Sequence, residues 1–540
     1  MSSEPFTPEE RRLLAPYVTN AERSIFVLTN LPEVIKGALF SRYSRSTLGL
    51  RRLLLKEFIQ ADEAEFGSIS GGASGSAEEQ RLAVERAQDF YDRILDGYGD
   101  DSIGELGGAH LAVEEVSILA TKTIEDLRIG GSPLEKSTRY VSFGQKVNGD
   151  FRFYQDPEVL ASRHRDRYLQ ACRHLFETYV RLTEPVREHV RAQLPREVGV
   201  PESAYERSVR AHGFDLIRGL LPAATLTNMG IFGNGRFFES LITRLRNEPL
   251  SELQQIAGQS WEELAQVIPS FIRRAQPGHR HFQSQSSFLE AQQQRLREAT
   301  LNWERPQAPS HSGPAALQVR LVDFDPQAEE KLLSSLLYEV SECALPEVQA
   351  HVRQMSPEAR QRLMRECIAL REHRRHKPPR ALETVFYRFE ITGDYGMYRD
   401  LHRHRMLTQW RQPLTPCFGY DLPEALQEAG LDGPYREAME QAAEAFEQLS
   451  GDFPEAAQYV VPMAYHLRWS WNVNLRALTW LVELRSTPQG HPAYRQVAQQ
   501  LYREVQRVHP QLAEWIAFVD LNDYHLGRLA AEIRHAQKSG

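Results

Sequence analysis

Three short motifs of this 540-residue chain carry side chains able to grip an anion. Arg403-His404-Arg405 sets two guanidinium groups around an imidazole. Arginine offers a planar fork of donors that matches phosphate, and histidine can donate to a ring or phosphate oxygen. Neighbouring cations repel, so this cluster implies either an anionic counterpart or a solvated helix end favoured by the helix dipole. In the first half, Glu135-Lys136-Ser137-Thr138-Arg139-Tyr140 follows the turn Gly130-Gly131-Ser132. Side chains and amides after such a turn can cradle phosphate, or can form a polar loop entering a strand. The third element is Asn-x-Arg, present as Asn234-Gly235-Arg236 and as Asn474-Leu475-Arg476.

The elements that must position these residues follow from periodicity and turn chemistry. Residues 385–391 (VFYRFEI) read as a strand, after which Gly393-Asp394 turns and caps a helix over 395–406. That helix carries Arg403–Arg405 in its last turn and puts Arg399 and Arg403 on one face. Residues 109–113 (AHLAV) read as the matching strand of the first half, with a helix over 117–127 behind it. Residues 23–28 (RSIFVL) and 319–324 (VRLVDF) read as opening strands. Each half then holds a proline inside an apolar segment, LLPAATLTN and VVPMAYHLR, and a long helix after it. Asn-x-Arg is expected within that helix, and Trp469, Trp471 and Trp480 read as its core face, with a stacking platform as the alternative.

Pro222 and Pro462, Asn234 and Asn474, and Arg236 and Arg476 all stand at one offset of 240 residues. Joined to the shared order of elements, this implies an internal duplication of one domain. Residues 275–316 are rich in proline and glutamine and read as a connector with a helix near 288–299. Residues 67–77 (GSISGGASGSA) read as a mobile loop. The expected organisation is residues 1–275, a linker at 276–316, and residues 317–540.

Composition bounds the rest. Hydrophobic residues make up 41% and charged residues 25%, which excludes fibrous, wholly disordered and membrane-embedded classes. No apolar run is long enough to span a bilayer, and MSSEPFTPEERRLL has no secretory apolar region. A net charge of −8 argues against a nucleic-acid partner for the chain as a whole. The basic runs 371–380 (REHRRHKPPR) and 399–411 (RDLHRHRMLTQWR) leave phosphate binding, or a solvated face, as local readings. Four scattered cysteines without Cys-x-x-Cys spacing fit a reducing cytoplasm and exclude a cysteine-built zinc site. The His279-Arg280-His281 run has no carboxylate at ligand spacing, so no metal is expected.

These motifs together resemble the flavin-dependent thymidylate synthase family, whose signature runs Arg-His-Arg and then Ser-x-Arg-Tyr. Here the signature is divided. The second half keeps Arg403-His404-Arg405 and continues as MLTQWRQPLTPC, without Ser-x-Arg-Tyr. The first half keeps Glu135, Ser137, Arg139 and Tyr140, with Glu125-Asp126-Leu127-Arg128 where Arg-His-Arg belongs. Glu105 and Glu383 match the upstream glutamate, while the histidine near it is absent from both halves, with Gly99-Asp100-Asp101-Ser102 in its place in the first. Downstream, Arg218, Leu221-Pro222, Asn234, Arg236 and Arg244 match in the first half. Pro462, Asn474, Arg476, Arg485 and His491 match in the second, where Gln458 replaces the first arginine. The resemblance spans about residues 20–265 and 319–520.

The resemblance implies an α+β fold of two tandem domains, each a small mixed or antiparallel sheet with long helices. It implies dUMP binding by Glu135, Ser137, Thr138, Arg139 and Arg218. FAD binding is implied for Arg403, His404, Arg405, Asn474, Arg476 and His491, with Asn234 and Arg236 as first-half counterparts. Arg244 and Arg485 match arginines at the reacting centre. Implied co-substrates are methylenetetrahydrofolate and NADPH, and the implied assembly is a homodimer mimicking the family's homotetramer. Because the losses are complementary, the two halves are expected to share one composite site. Arg139 and His404 must then lie close enough for one dinucleotide and its pyrimidine partner to bridge them. The alternatives are a non-catalytic flavin or nucleotide binder acting as sensor or partner subunit, and a nucleic-acid binder using the two basic runs.

Overall fold

The computed structural model describes residues 5–44, 46–60, 104–303 and 313–539; the stretch 67–77 and Gly99–Ser102 lie outside them. The strands among these residues are β1 (Gly108–Ser117), β2 (Gly131–Glu135), β3 (Lys146–Val147), β4 (Asp150–Phe151), β5 (Leu226–Asn234), β6 (Gln318–Phe324), β7 (Phe386–Asp394), β8 (Thr408–Arg411) and β9 (His466–Asn474). The chain forms two compact units. The first comprises Met1–Val116, Thr123–Lys136 and Thr227–Glu304, and the second Ser117–Lys122, Ser137–Leu226 and Arg305–Gly540. The units are not the two halves in chain order, because much of the first half packs in the second unit. No described helix is long and apolar enough to cross a membrane.

The first unit is built on a three-stranded sheet ordered β1-β5-β2. β2 runs antiparallel to β5, with Gly131 opposite Gly233 and Glu135 opposite Met229. Gly131 is required by proximity: a Cβ there would lie 2.4 Å from the Phe237 ring. Asn234 ends β5 and caps the helix Gly235–Arg246 by accepting from the Phe237 N–H, a standard amide cap. That helix buries Phe238, Leu241, Ile242 and Leu245. The helix expected near 288–299 within the connector is longer, running from Arg280 to Thr300 with no buried residue. RSIFVL is not a strand: Val18 and Leu28 form one isolated bridge, and Ile25 and Val27 are exposed. Phe26 and Leu28 still pack partly buried against the cluster of Leu14, Val18 and Leu31, and the pairing stops at two backbone bonds, Thr19 N–H to the Val27 carbonyl and Thr29 N–H to the Tyr17 carbonyl.

The second unit is built on a four-stranded antiparallel sheet ordered β6-β7-β9-β8. β9 alternates buried and half-buried positions through Leu467, Trp469, Trp471 and Val473. This period of two is the reason the proline segments lead into strands rather than directly into helices. Trp469 and Trp471 are therefore sheet core, and the Trp471 indole N–H donates to Gln409 Oε1 at 3.1 Å. Asn474 then caps the helix Leu475–Arg485, as Asn234 caps its counterpart. The helices Arg165–Gln193 and Glu202–Ile217 fill the long interval between Tyr140 and Pro222.

The two proline segments meet inside this second unit. Pro222 pairs antiparallel with Pro462. Ala223 N–H donates to the Val461 carbonyl and Met463 N–H to Leu221, each at 2.9 Å. Ala224 donates to Tyr459 and Ala464 to Gly219, also at 2.9 Å. Each bond maps onto its partner by the 240-residue offset, so the seam has local two-fold symmetry.

A candidate anion-binding site

Asp394 closes β7 and caps the helix Tyr395–Leu401 by accepting from the Met397 N–H at 2.8 Å. The helix stops at Leu401, not at 406. The chain must reverse there so that Leu407 is buried and β8 can pair with β9. Arg403, His404 and Arg405 consequently lie in the turn beyond the helix, and Arg399 and Arg403 do not share a helical face.

A buried network links the retained motif of the first half to that of the second. Arg139 forks onto Asp215, with Nε–Oδ1 at 2.8 Å and Nη2–Oδ2 at 2.7 Å. Its Nη1 donates to the Tyr494 hydroxyl at 3.1 Å. Arg485 stands over the same Tyr494 ring at 5.4 Å, and its Nε donates to His404 Nε2 at 2.8 Å. Arg139 and His404 are thus joined through two intervening side chains of one unit. Arg218 pairs with Asp400 at 3.2 Å. Burial opposes ionisation of Asp400, yet Arg218, Arg139, Arg403 and Arg485 hold its carboxyl below the usual range. Burial likewise opposes ionisation of Asp215, and the His491 ring, Arg139 and Arg528 outweigh it.

Three buried donors in this network lack a hydrogen-bond partner: Arg218 Nη2 and both Nη atoms of Arg528. Arg528 Nη2 is 3.6 Å from Asp215 Oδ2, and its guanidinium stands 4.7 Å from the Tyr140 ring. Two voids border Asp215, one lined also by Arg528 and the other by Arg218, each of about 20 Å³. That is room for about one water apiece.

Beside His404 opens a larger cavity of about 710 Å³, lined by Arg403, His404, Arg405, Asn474, Arg476 and Trp480 among others. Arg476 is tied to Glu383 at 2.6 Å, and Asn474 Oδ1 is used as the helix cap. Burial, then Arg485, pushes the His404 imidazole down to about 3. The ring is neutral, accepts at Nε2, and carries its proton on Nδ1. Arg374, Arg375 and Lys377 line the same cavity, so both basic runs contribute to it. Trp480 lies here too, 48% exposed rather than in the core.

The other candidates occupy different surroundings. Glu135, Asn234, Arg236 and Arg244 belong to the first unit. Arg236 pairs with Glu105 at 2.8 Å, the counterpart of Arg476 with Glu383. Arg244 is held by Asp126 at 3.0 Å and Glu248 at 3.3 Å, in a cleft of about 740 Å³ where Arg274 is paired with Glu239. Asp126 falls in the stretch that replaces Arg-His-Arg, so this cleft is charge-matched. Ser137 Oγ accepts from the Arg139 N–H at 3.2 Å, and Thr138 is buried beside it. Both shape the turn that aims Arg139. His491 caps the helix Pro492–Val508 through Nδ1 and meets the Asp215 carbonyl through Nε2 at 3.3 Å. It lines the small void next to Arg218, not the large cavity.

Sequence reading missed Asp215, Asp400 and Tyr494. A signal existed for the carboxylates: Asp215-x-x-Arg218 and Asp400-x-x-Arg403 share one spacing.

The sequence profile of the thymidylate synthase complementing protein family matches residues 60–270 and 320–511. A UPF0159 protein of Chlamydia muridarum is 46% identical over 98% of both chains. Another from Chlamydia pneumoniae is 47% identical over 98% of both, and one from Thermoplasma acidophilum is 35% identical over 94% of this chain and 99% of its own. A solved structure of the UMP/dUMP methylase PolB from Streptomyces cacaoi, bound with 5-Br UMP, aligns at 18% identity and a TM-score of 0.31. It covers 39% of this chain and 98% of its own. On the profile, which matches both halves, the chain belongs to the thymidylate synthase complementing protein family.

Proposed function

We propose that the chain is a flavin-dependent thymidylate synthase-like enzyme that reductively methylates dUMP to dTMP. In this reading methylenetetrahydrofolate is the carbon donor, NADPH the reductant and FAD the flavin. Family membership supports a thymidylate synthase-like function of methyltransferase type; the flavin, the co-substrates and the residue roles are the proposal. One observation carries it. Arg139 and Arg218, from the first half, converge with Asp400, His404 and Arg485, from the second, in one buried network. The pairing of the two proline segments supports tandem duplication as its origin, and a homodimer would then bring four such domains together.

The large cavity fits FAD in charge and size. Arg375 and Lys377 line it as exposed cations, with Arg403, Arg405 and Arg476 beside them and Glu383 as the lining carboxylate, and its volume suits a large cofactor. Arg403, Arg405 and Arg476 would hold its phosphates, and the Asn474 amide and His404 Nδ1–H would donate to its polar edge. Bound there, FAD supplies hydride transfer. The chain's own groups do the rest. Arg485 fixes the tautomer of His404. Arg139, Arg218 and the unpartnered donors of Arg528 would hold the nucleotide, and Arg485 would stabilise negative charge developing on the pyrimidine.

The test is an anaerobic assay with dUMP, FAD, NADPH and methylenetetrahydrofolate, with Arg139→Ala and Arg405→Ala as variants. Loss of one such donor is expected to lower turnover by about 10²–10³-fold. Arg405 is exposed, so its variant should melt with wild type. Wild-type turnover by Arg405→Ala would remove the flavin assignment. A second reading, a non-catalytic flavin or nucleotide binder, is favoured by one feature: Asp215 and Asp400 already neutralise Arg139 and Arg218 beside water-sized voids. Retained flavin with no dTMP formed would select it.

A further inference from the structure

The loop 371–378 belongs to none of the motifs carried by the resemblance, yet it forms a wall of the large cavity. Its first residue is spent inward. Arg371 is 8% exposed. Both its Nη atoms meet the fully buried Glu483 carboxylate, Nη2–Oε2 at 2.6 Å. Nη1 also donates to the Trp515 carbonyl at 2.8 Å, and Nε to the His376 carbonyl at 2.8 Å. Within the loop, His376 N–H donates to His373 O at 2.8 Å and Arg375 N–H to His373 Nδ1 at 2.9 Å. The backbone is therefore wound around one buried ion pair.

What the winding presents is a row of cations. Arg375 and Lys377 are exposed and have no partner among the described residues. Arg374 Nη1 donates to the Glu483 carbonyl at 3.3 Å, and its guanidinium stands 6.0 Å from the Trp480 ring. Trp480 is thereby supported by a cation while its half-exposed indole lines the cavity. With Arg403 and Arg405 lining the same space, the cavity carries more positive than negative side chains, which favours an anionic ligand. A large indole beside such a row suits a ligand that is both flat and multiply anionic.

We propose that Trp480 is the stacking platform for the planar ring of an aromatic dinucleotide and that Arg375 and Lys377 grip its pyrophosphate. This rests on the flavin reading of the cavity and extends it to residues outside the family motifs. Arg371, Glu483 and Arg374 are positioning residues: they shape the wall and touch no ligand.

The test titrates ligand-stripped full chain with riboflavin, FAD and ADP, following tryptophan emission and flavin absorbance. Trp480→Ala should weaken FAD about tenfold and riboflavin similarly, and Trp480→Phe should keep affinity while losing part of the emission quench. The Arg375→Glu/Lys377→Glu double variant should weaken FAD and ADP by about tenfold or more at low salt. It should leave riboflavin, which has no phosphate, unchanged, and Arg375→Lys/Lys377→Arg should restore FAD. Thermal melts check that each variant folds. Equal FAD binding by all variants overturns the wall and leaves the flavin reading intact. ADP binding that responds to charge reversal, with no flavin bound by any variant, overturns the flavin reading and the stacking role. Binding of none of the three ligands overturns both.

Discussion

A buried imidazole is cheapest uncharged, and three histidines of the second unit are held that way. Burial, with Arg485 beside His404 and Arg218 beside His491, pushes these rings down to about 3, and burial alone takes His466 to about 4. An unfolded imidazole protonates near 6.5. Below that pH the unfolded chain binds more protons at these sites than the folded chain, so their contribution to stability is lost as pH falls. Asp394 and Asp421 act in the opposite sense. Burial raises both carboxyls, Asp394 to about 7 with Asp421 beside it. Their contribution is present at low pH and lost as pH rises toward 7. With these three imidazoles, and His212 and His509 which burial also lowers, against one carboxyl pair, the urea midpoint is expected to be lower at pH 4.5 than at pH 6.5. His466→Gln should flatten that slope, and stability that rises on acidification would contradict the assignment.

At the scale of elements, the candidate site depends on two strand-to-helix corners made the same way. Asn234 and Asn474 each end a strand and cap the following helix through a side-chain oxygen. Each places the arginine two residues on against an upstream glutamate. The corners are alike and the clefts beside them are not, because Asp126 faces Arg244 in the first unit whereas His404 faces Arg485 in the second. Asn234→Ala and Asn474→Ala should each cost about 1 kcal/mol in urea unfolding. Asn474→Asp, which still caps, should stay near wild type. A silent Asn474→Ala would mean that the corner is held by packing instead.

At the scale of the molecule, the local two-fold seam of the second unit joins the chain's two halves. Its backbone bonds require close approach. A Cβ on Gly219 would lie 2.5 Å from the Tyr435 hydroxyl and 3.0 Å from Ala464 Cβ, and Tyr435 is itself buried. Gly219→Ala is expected to destabilise the second unit by about 1–3 kcal/mol, read as a lowered thermal midpoint. If the proposed function holds, Gly219→Ala, which adjoins the proposed nucleotide residue Arg218, should weaken dUMP binding and leave FAD binding at the proposed wall unchanged. A variant as stable as wild type would show that the seam tolerates the added carbon.

The sequence by itself determined the family, the constant offset between the halves, and most motif residues, because donor type and spacing are one-dimensional properties. It also located β6, β7 and the helices that follow Asn234 and Asn474, but placed each Asn inside its helix, where the structure makes it the cap. It misread β9 as helix, since a short apolar run with tryptophans satisfies either period until a sheet partner exists. It extended the helix of Arg399 past Leu401, since only the pairing of β8 with β9 demands the reversal. The tertiary structure alone decided which cations are already matched. Asp215 and Asp126 reach Arg139 and Arg244 across 76 and 118 residues of chain, a distance at which spacing carries no information. It also decided that Arg375, Lys377 and Trp480 share a cavity with Arg403, because a wall is made by packing, and packing is written in no contiguous segment.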